Sequence, residues 1–266
     1  SGEIRVFNGY INGGKGTQGA SVCVYDSGHL VLWGGHVEGG EVTGNGGNIF
    51  VHKDNGKFTM NGGLVSGGKA TKGGNIYAQR GTVTINGGTI TEGYATERGG
   101  NIYVHGGWDT STDSTGVKTF VPYIGKLIMK DGVVSNGVAG KLDAEGNPTS
   151  GSGGNITVFG QYATSSYTIG DVKTTIADTF LGTFTLSGGT ITGGKAYTAG
   201  NVDVYGTMVM DGGLITDGTA GNEGGNMRVY YGKDYDAEGK EFAAASFTMN
   251  GGEITKGYAA GNGGGI

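Results

Sequence analysis

The chain has 266 residues, of which 62 are glycine and two are proline, and its formal net charge is −5. A collagen-like chain is excluded because there is no Gly-X-Y period, and the lack of a basic tract argues against nucleic-acid binding. Hydrophobic residues make up 35 % of the chain, which is enough to form a core. No run of 18 apolar residues occurs, so the sequence predicts no membrane-spanning segment. The lone Cys23 excludes an intramolecular disulfide.

One pattern repeats along the chain. Each copy opens on a short alternating segment that ends in a glycine turn, such as FTMNGG at 58, VTINGG at 83 and FTMNGG at 247. Seven copies continue into a GGN-I-x-V segment or a relative of it, and the eighth stops inside that segment. The eight copies begin at Ile4, Leu30, Phe58, Val83, Leu127, Phe184, Met208 and Phe247. A repeat of roughly 25 residues is typical of a solenoid.

Apolar and polar residues alternate in three short segments of each copy, as in strands with one buried face. The alternating positions align between copies, and one aligned row is entirely β-branched. That row contains Ile11, Val37, Val65, Ile90, Val134, Ile191, Ile215 and Ile254. We therefore predict an all-β fold, a single-stranded parallel β-helix with about eight coils and three strands per coil, in one domain spanning residues 1–266. Left-handed β-helices usually run on hexapeptides, which are missing here, so the predicted hand is right.

Asparagine occupies the same corner of successive coils. The row contains Asn48, Asn75, Asn101, Asn155, Asn201 and Asn226. Such a row could bind a ligand, or its amides could bond to the coils above and below as a structural ladder. We predict the structural ladder because buried turns need partners for their backbone polar groups.

The motifs FTMNGG-x-I-[ST]-x-G and GGN-I-[YF]-V resemble the glycine-rich repeats of bacterial cell-surface proteins that form right-handed parallel β-helices. Large adhesins and autotransporter passengers are similar. The resemblance covers essentially the whole chain. It implies an extracellular surface protein, but it is weak for function because pectate lyases, polygalacturonases and phage tailspikes share the architecture.

Insertions interrupt the repeat at residues 106–126, 160–183 and 231–246, all at one corner, and a fourth at 140–151 lengthens another corner. The three co-cornered insertions are rich in aromatic residues, which stack on sugar or protein ligands when exposed. The candidate ligand-binding residues are Trp108, Phe120, Tyr123, Tyr162, Tyr167, Tyr231 and Tyr235. Alternatively, these side chains pack under the insertions as a local satellite core. Beside them, Phe50, Tyr77 and Tyr103 are predicted to point outward and to stack across neighbouring strands.

A polysaccharide lyase or glycoside hydrolase on this fold would need clustered carboxylates on its outer face. The sequence offers one acid, Asp203, with Arg228 one coil further on, and an exposed ion pair explains both. The four histidines and Cys23 lack metal-ligand spacing. We therefore predict no catalytic residue, no metal site and no cofactor.

The sequence starts directly in a strand and stops within a coil. We expect either a segment of a longer protein or a subunit that stacks end to end into a filament. The predicted function is that of a non-enzymatic, extracellular structural or adhesive stalk on a bacterial surface. Its expected partners are other copies of the chain and a glycan or host-surface ligand. The alternative is a carbohydrate-binding or polysaccharide-degrading β-helix that uses the aromatic insertions.

Overall fold

The computed structural model describes residues 2–53, 55–112, 114, 118–169, 172–230 and 245–266. For residues 118–120, 161–169 and 172–179 it describes the backbone only. All regular elements within these ranges are β-strands. They form four sheets, and in each sheet the equivalent strands of successive copies are parallel neighbours. The prediction of an all-β fold with parallel sheets is confirmed. Within the same ranges there is no helix long and apolar enough to cross a membrane.

The four sheets are numbered in the order in which the chain reaches them. Sheet 1 contains Glu3–Val6, His29–Leu32, Lys57–Met60, Thr82–Ile85, Lys126–Met129, Thr183–Leu186, Thr207–Met210 and Ser246–Met249. Sheet 2 contains Tyr10–Asn12, His36–Glu38, Leu64–Ser66, Thr89–Thr91, Val133–Ser135, Thr190–Thr192, Leu214–Thr216 and Glu253–Thr255. Sheet 3 contains Lys15–Gly16, Glu41–Val42, Lys69–Lys72, Tyr94–Arg98, Val138–Ala139, Lys195–Thr198, Thr219–Glu223 and Tyr258–Ala259. Sheet 4 contains Val22–Val24, Ile49–His52, Ile76–Gln79, Ile102–Thr112, Ile156–Ile169, Val202–Val204 and Met227–Val229, with Lys118–Ile124 and Val172–Leu181 paired at its side.

The chain passes through sheets 1 to 4 in the same order in each copy, and each strand pairs in parallel with its equivalent in the next copy. In sheet 1, for example, Leu30 is in register with Phe58, and Phe58 with Val83. This connectivity is compatible with a parallel β-helix. The prediction of three strands per repeat is wrong, because four sheets are present. Sheet 3 has strands as short as Val138–Ala139, which are too short to show alternation in the sequence.

A continuous apolar core lies between the sheets. In the β-branched row of sheet 2, six side chains from Val37 to Ile215 are fully buried, whereas Ile11 and Ile254 at the outermost strands are partly buried. Strand residues between them, such as Thr89 and Thr91, face outward and are half-buried. Since no single copy can enclose its apolar face, stability comes from contacts between neighbouring copies.

The asparagine row lies fully buried at the corner between sheets 3 and 4. Each Nδ2 donates to the Oδ1 of the next asparagine, at 2.8 Å from Asn48 to Asn75 and 2.7 Å from Asn75 to Asn101, and onward to Asn226. The second Nδ2 hydrogen goes to a backbone carbonyl, and each Oδ1 also accepts a glycine N–H. The donors and acceptors of the side-chain amides are therefore used in hydrogen bonds within the fold.

Glycine is needed where the backbone passes the ladder. A Cβ on Gly93 would stand 2.2 Å from the carbonyl oxygen of Gly100 and 2.7 Å from Oδ1 of Asn101. The glycine N–H lies 2.9 Å from that same Oδ1, so the close approach makes the hydrogen bond. A side chain at this position would separate the backbone from the ladder.

Two of the insertions form antiparallel hairpins that extend strands of sheet 4. Ile102–Thr112 pairs with Lys118–Ile124, and Ile156–Ile169 pairs with Val172–Leu181. The insertion at 140–151 is a turn, closed by an isolated antiparallel bridge between Leu142 and Pro148. Most of the insertion at 231–246 lies outside the described residues, since residues 231–244 are not described.

Candidate functional site

Aromatic side chains form a continuous stack along the outer face of sheet 4, which we call the aromatic column. It contains Phe50, Tyr77, Tyr103, Phe159, Tyr205 and Tyr230. The ring centroids of successive members are 5.4, 5.2, 5.8, 5.8 and 4.7 Å apart. These spacings are those of stacked or tilted aromatic pairs, and they follow the distance between neighbouring strands.

The N-terminal half of the aromatic column is buried. Phe50, Tyr77 and Tyr103 stack across neighbouring strands, but they are only 3 %, 4 % and 2 % exposed and form an apolar cluster separate from the main core. The prediction that these three rings stack across neighbouring strands is confirmed, and their burial is an additional finding. They are covered from outside, in part by Lys72 over Tyr103 and by the ring of His105.

The aromatic column shifts sideways between Tyr103 and Phe159. The register partner of Tyr103 is Thr157, and the partner of Thr157 is Asp203, so small or polar side chains take the position of the rings. Phe159 instead lies opposite His105, two residues along the strand. The shift leaves space on the outer face beside Tyr205.

Asp203, two residues before Tyr205 in the chain, is fully buried. Arg228 donates Nε–H to its Oδ1 at 3.0 Å and Nη2–H to its Oδ2 at 3.1 Å. The expectation of an exposed ion pair is wrong, because the carboxylate has no exposed surface and the Arg228 side chain is only 18 % exposed. Burial raises the pKa of Asp203, and the two hydrogen bonds from Arg228 oppose that rise. With both oxygens engaged, Asp203 holds Arg228 in place.

Arginine side chains lie against the rings of the aromatic column on both sides of Tyr205. The guanidinium carbon of Arg98 is 4.8 Å from the centroid of Tyr205 and 5.2 Å from that of Phe159. That of Arg228 is 5.4 Å from Tyr205 and 5.5 Å from Tyr230. Arg228 also donates to the Tyr205 hydroxyl at 2.5 Å. Cation–π contacts of this kind hold both guanidinium groups in fixed positions.

A cavity of about 450 Å³ opens at this point of the surface. Its lining includes Glu97, Arg98, Ser152, Thr198, Tyr205 and Arg228. Residues 98, 152 and 198 follow one another at the corner between sheets 3 and 4, joined by parallel bridges. Ser150 and Gly151, at the end of the 140–151 insertion, form part of the wall. We refer to this site as the Arg98 cavity.

Arg98 differs from Arg228 in its partners. Within the described part of the chain, no hydrogen bond and no ion pair to the Arg98 guanidinium is found, although its Nη1 is buried. Its neighbour Glu97 is paired with Lys72 at 3.4 Å. A half-buried guanidinium with unused donors at the edge of a cavity is suited to binding an oxyanion.

The residues predicted to bind ligands are placed differently. Trp108 is half-buried in the first hairpin, opposite Pro122. Tyr123 is 6 % exposed, packs against the Arg80 guanidinium at 4.4 Å and accepts a hydrogen bond from Gln79 at 3.2 Å, as the local-packing alternative expects. Phe120, Tyr162 and Tyr167 lie on hairpin strands whose side chains are not described there, and Tyr231 and Tyr235 lie outside the described residues. A role in binding stays a prediction for these residues.

His105 adds a titratable group to the covered part of the column. Its Nδ1 lies 2.7 Å from the Tyr77 hydroxyl oxygen and forms a hydrogen bond with it whose direction is set by the tautomer of the ring. Burial, with a smaller effect of the nearby Lys72 charge, lowers the pKa of His105 to about 4. His105 is therefore neutral at physiological pH.

Sequence reasoning did not single out Arg98, Ser152 or Thr198. The signal that locates them is the position just before the glycine turn that precedes the ladder asparagine. Aligned between copies, that position reads Asn45, Lys72, Arg98, Ser152, Thr198 and Glu223, which are bridged in this order in the structure. A change from long basic to small hydroxyl side chains within this row predicts a gap at the surface.

Comparison with known protein families, with curated proteins and with solved structures gave no match. Within the described ranges, no group of three or more His, Cys, Asp or Glu side chains is placed to hold a metal ion. The fold, the Arg98 cavity and the aromatic column are therefore the features that bear on function.

Proposed function

We propose that the chain is a non-enzymatic, extracellular structural and adhesive protein of a bacterial surface. In this proposal it forms a right-handed parallel β-helix of about eight coils, a rod roughly 38 Å long at ~4.8 Å per coil. The observation that supports it most is the unbroken order of equivalent parallel strands in all four sheets, together with the continuous asparagine ladder. Such a stack gives a stiff support that holds insertions on one side.

Surface display of the two hairpins fits an adhesive role. The hairpins leave sheet 4 from consecutive equivalent strands, Ile102–Thr112 and Ile156–Ile169, so both stand on the same side of the stack. The members of the aromatic column that reach the surface, Phe159, Tyr205 and Tyr230, lie on the same sheet or directly after its strands. Aromatic and arginine side chains are the residue types that contribute most at protein binding surfaces.

End-to-end contact is part of the proposal. At one edge of the stack Phe7 and Tyr10 are exposed, and at the other Met249 and Tyr258 are exposed. A further layer of strands, from the same chain or from a second copy, would cover these apolar side chains and pair with the edge strands. Electron microscopy of the purified protein should show rods whose length increases with concentration, and dispersed short particles at all concentrations would contradict this part.

The adhesive role is tested by the binding of labelled protein to immobilised host-matrix proteins and to a glycan array. Trp108→Ala, in the first hairpin, should weaken binding several-fold. Trp33→Ala is the matched control, because Trp33 is exposed on a turn between sheets 1 and 2, away from the hairpins. Equal losses in both variants, or no binding to any surface, would contradict the adhesive role.

Binding of carbohydrate is a second candidate function, and the Arg98 cavity favours it. Its volume lies within the usual range for small-molecule sites, and its lining combines hydroxyl, guanidinium and aromatic groups. The distinguishing experiment for an enzymatic version is incubation with a panel of polysaccharides. Release of reducing ends or unsaturated products would overturn the non-enzymatic proposal.

A further inference from the structure

We propose that the Arg98 cavity binds an acidic sugar, with the ligand carboxylate on the guanidinium of Arg98. The inference rests on the second candidate function above, the binding of carbohydrate, and names the chemical class of one ligand. It depends on three features of the cavity: the unused donors of Arg98, the fixed position of that side chain, and the hydroxyl groups around it.

Arg98 is the cation available to a ligand. Arg228 already gives two hydrogen bonds to Asp203 and one to Tyr205, and Glu223 lies 3.7 Å from it. Arg98 has no carboxylate within 4.0 Å among the described residues, and no hydrogen bond to it is found there. A guanidinium has five N–H donors in a planar fork, which matches the two oxygens of a carboxylate.

The position of Arg98 is fixed before a ligand arrives. Its guanidinium rests against Phe159 and Tyr205, whose rings are in turn held by the strands of sheet 4. The backbone at Arg98 is tied to the next copy through its bridge to Ser152. Because the side chain is already ordered, binding loses little conformational entropy at this residue.

The surroundings favour a hydroxylated monoanion over phosphate or sulfate. Thr96, Thr198 and Tyr205 bring hydroxyl groups to the cavity, which can donate to and accept from the hydroxyls of a sugar. Glu97 also lines the cavity, and its negative charge disfavours a ligand with two charges. A carboxylate attached to a ring with several hydroxyl groups satisfies both conditions.

The test is titration of the folded protein with glucuronic acid and galacturonic acid, followed by ligand-observed NMR and calorimetry. The expected result is saturable binding in the millimolar range, at least about tenfold tighter than binding of glucose or of the methyl ester of the same acid. The ester keeps the hydroxyl groups and removes the charge, so this comparison needs no variant. Acetate and inorganic phosphate are the remaining probes and should bind about tenfold more weakly than the sugar acids.

Arg98→Gln should reduce affinity for the sugar acid at least about tenfold, whereas Lys69→Gln, an exposed substitution on sheet 3, should leave it unchanged. Far-UV circular dichroism and thermal unfolding establish that both variants are folded. Equal binding of acid and ester, equal binding of phosphate and sugar acid, or unchanged affinity in Arg98→Gln would each overturn the inference. So would no binding up to about 20 mM. If the protein adheres to surfaces but fails these tests, the adhesive function stands and this ligand assignment falls.

Discussion

Replacing Asn101 by alanine tests whether the asparagine ladder holds neighbouring copies together. The Asn101 amide donates to Asn155 Oδ1 and to the carbonyl of Ser135, both at 2.7 Å. Its Oδ1 accepts from Asn75 Nδ2 at 2.7 Å and from the Gly93 N–H at 2.9 Å. Asn101→Ala removes all four hydrogen bonds. The Gly93 N–H and one Nδ2 hydrogen of Asn75 lose their acceptor, whereas Asn155 Oδ1 still accepts from the Gly137 N–H and the Ser135 carbonyl from the Glu92 N–H. At about 1 kcal/mol for each hydrogen bond removed, the substitution should lower the free energy of unfolding by about 4 kcal/mol.

The matched control is Asn86→Ala. Asn86 is half-buried on a turn of the same repeat and donates one hydrogen bond, at 2.8 Å, to Asn61 Oδ1. Its loss should cost about 1 kcal/mol. The assay is urea unfolding followed by far-UV circular dichroism and by tyrosine fluorescence, whose coincidence checks that unfolding is cooperative. The reasoning is refuted if Asn101→Ala is no more destabilising than Asn86→Ala, because the ladder would then contribute nothing beyond an ordinary surface hydrogen bond.

Three further substitutions test the backbone packing, the pH dependence and the buried ion pair. Gly93→Ala should lower the free energy of unfolding by about 3 kcal/mol or more, since its Cβ would overlap backbone atoms. A Cβ on Gly265 meets no atom within 4 Å, so Gly265→Ala should change the free energy of unfolding by less than about 0.5 kcal/mol. Similar urea midpoints for the two variants would contradict the close approach of the backbone at Gly93. The pKa of His105 falls from 6.5 unfolded to about 4 folded, so stability present above pH 6.5 should decline by about 3 kcal/mol as the pH falls to 4. His105→Gln should flatten that decline, and parallel pH profiles for wild type and variant would count against it. Asp203→Asn removes the buried counter-charge of Arg228 and leaves it only the more exposed Glu223 at 3.7 Å, so the substitution should cost about 3 kcal/mol in chemical unfolding. The exposed Glu41→Gln should cost less than about 0.5 kcal/mol, and equal effects would show that burial of the pair is unimportant.

The core could be predicted from the sequence because the same alternation occurs in every copy. Ile90, Ile191 and Ile215 align at one position of the repeat, and all three are fully buried. A single copy would be ambiguous, since three or four alternating residues are too few to assign a face. Eight aligned copies remove that ambiguity.

Sheet 3 could not be predicted as a separate sheet, because its strands, such as Lys15–Gly16, are too short to carry a periodic signal. The hairpins could not be predicted for a different reason. Each insertion occurs once, so there is no second copy with which to align it. The strand pairing within Ile156–Ile169 and Val172–Leu181 is a property of those two segments alone.

The candidate site could be predicted only in part. The aromatic residues of sheet 4 were visible in the repeat, and their stacking followed from strand spacing. Their burial did not follow, because the groups that cover Tyr103, including Lys72 and His105, come from other strands or from further along the same strand. For Asp203, the pairing with Arg228 of the next copy was predicted from the repeat, but the burial of the pair was not. Burial of these side chains is determined by contacts between residues far apart in the sequence, and a local sequence pattern does not reveal such contacts.

The most direct test of the central claim, that equivalent strands pair in parallel and in register, is disulfide cross-linking. In a Cys23→Ser background, Thr59→Cys combined with Thr84→Cys places two outward-facing thiols on register partners. Their Cα atoms should be ~4.8 Å apart, within the range for a disulfide. Thr59→Cys with Thr82→Cys is the control, because a two-residue offset puts the Cα atoms about 8 Å apart. Mild oxidation should close the first pair rapidly and the second hardly at all, and equal rates or preferential closure of the second would contradict the register.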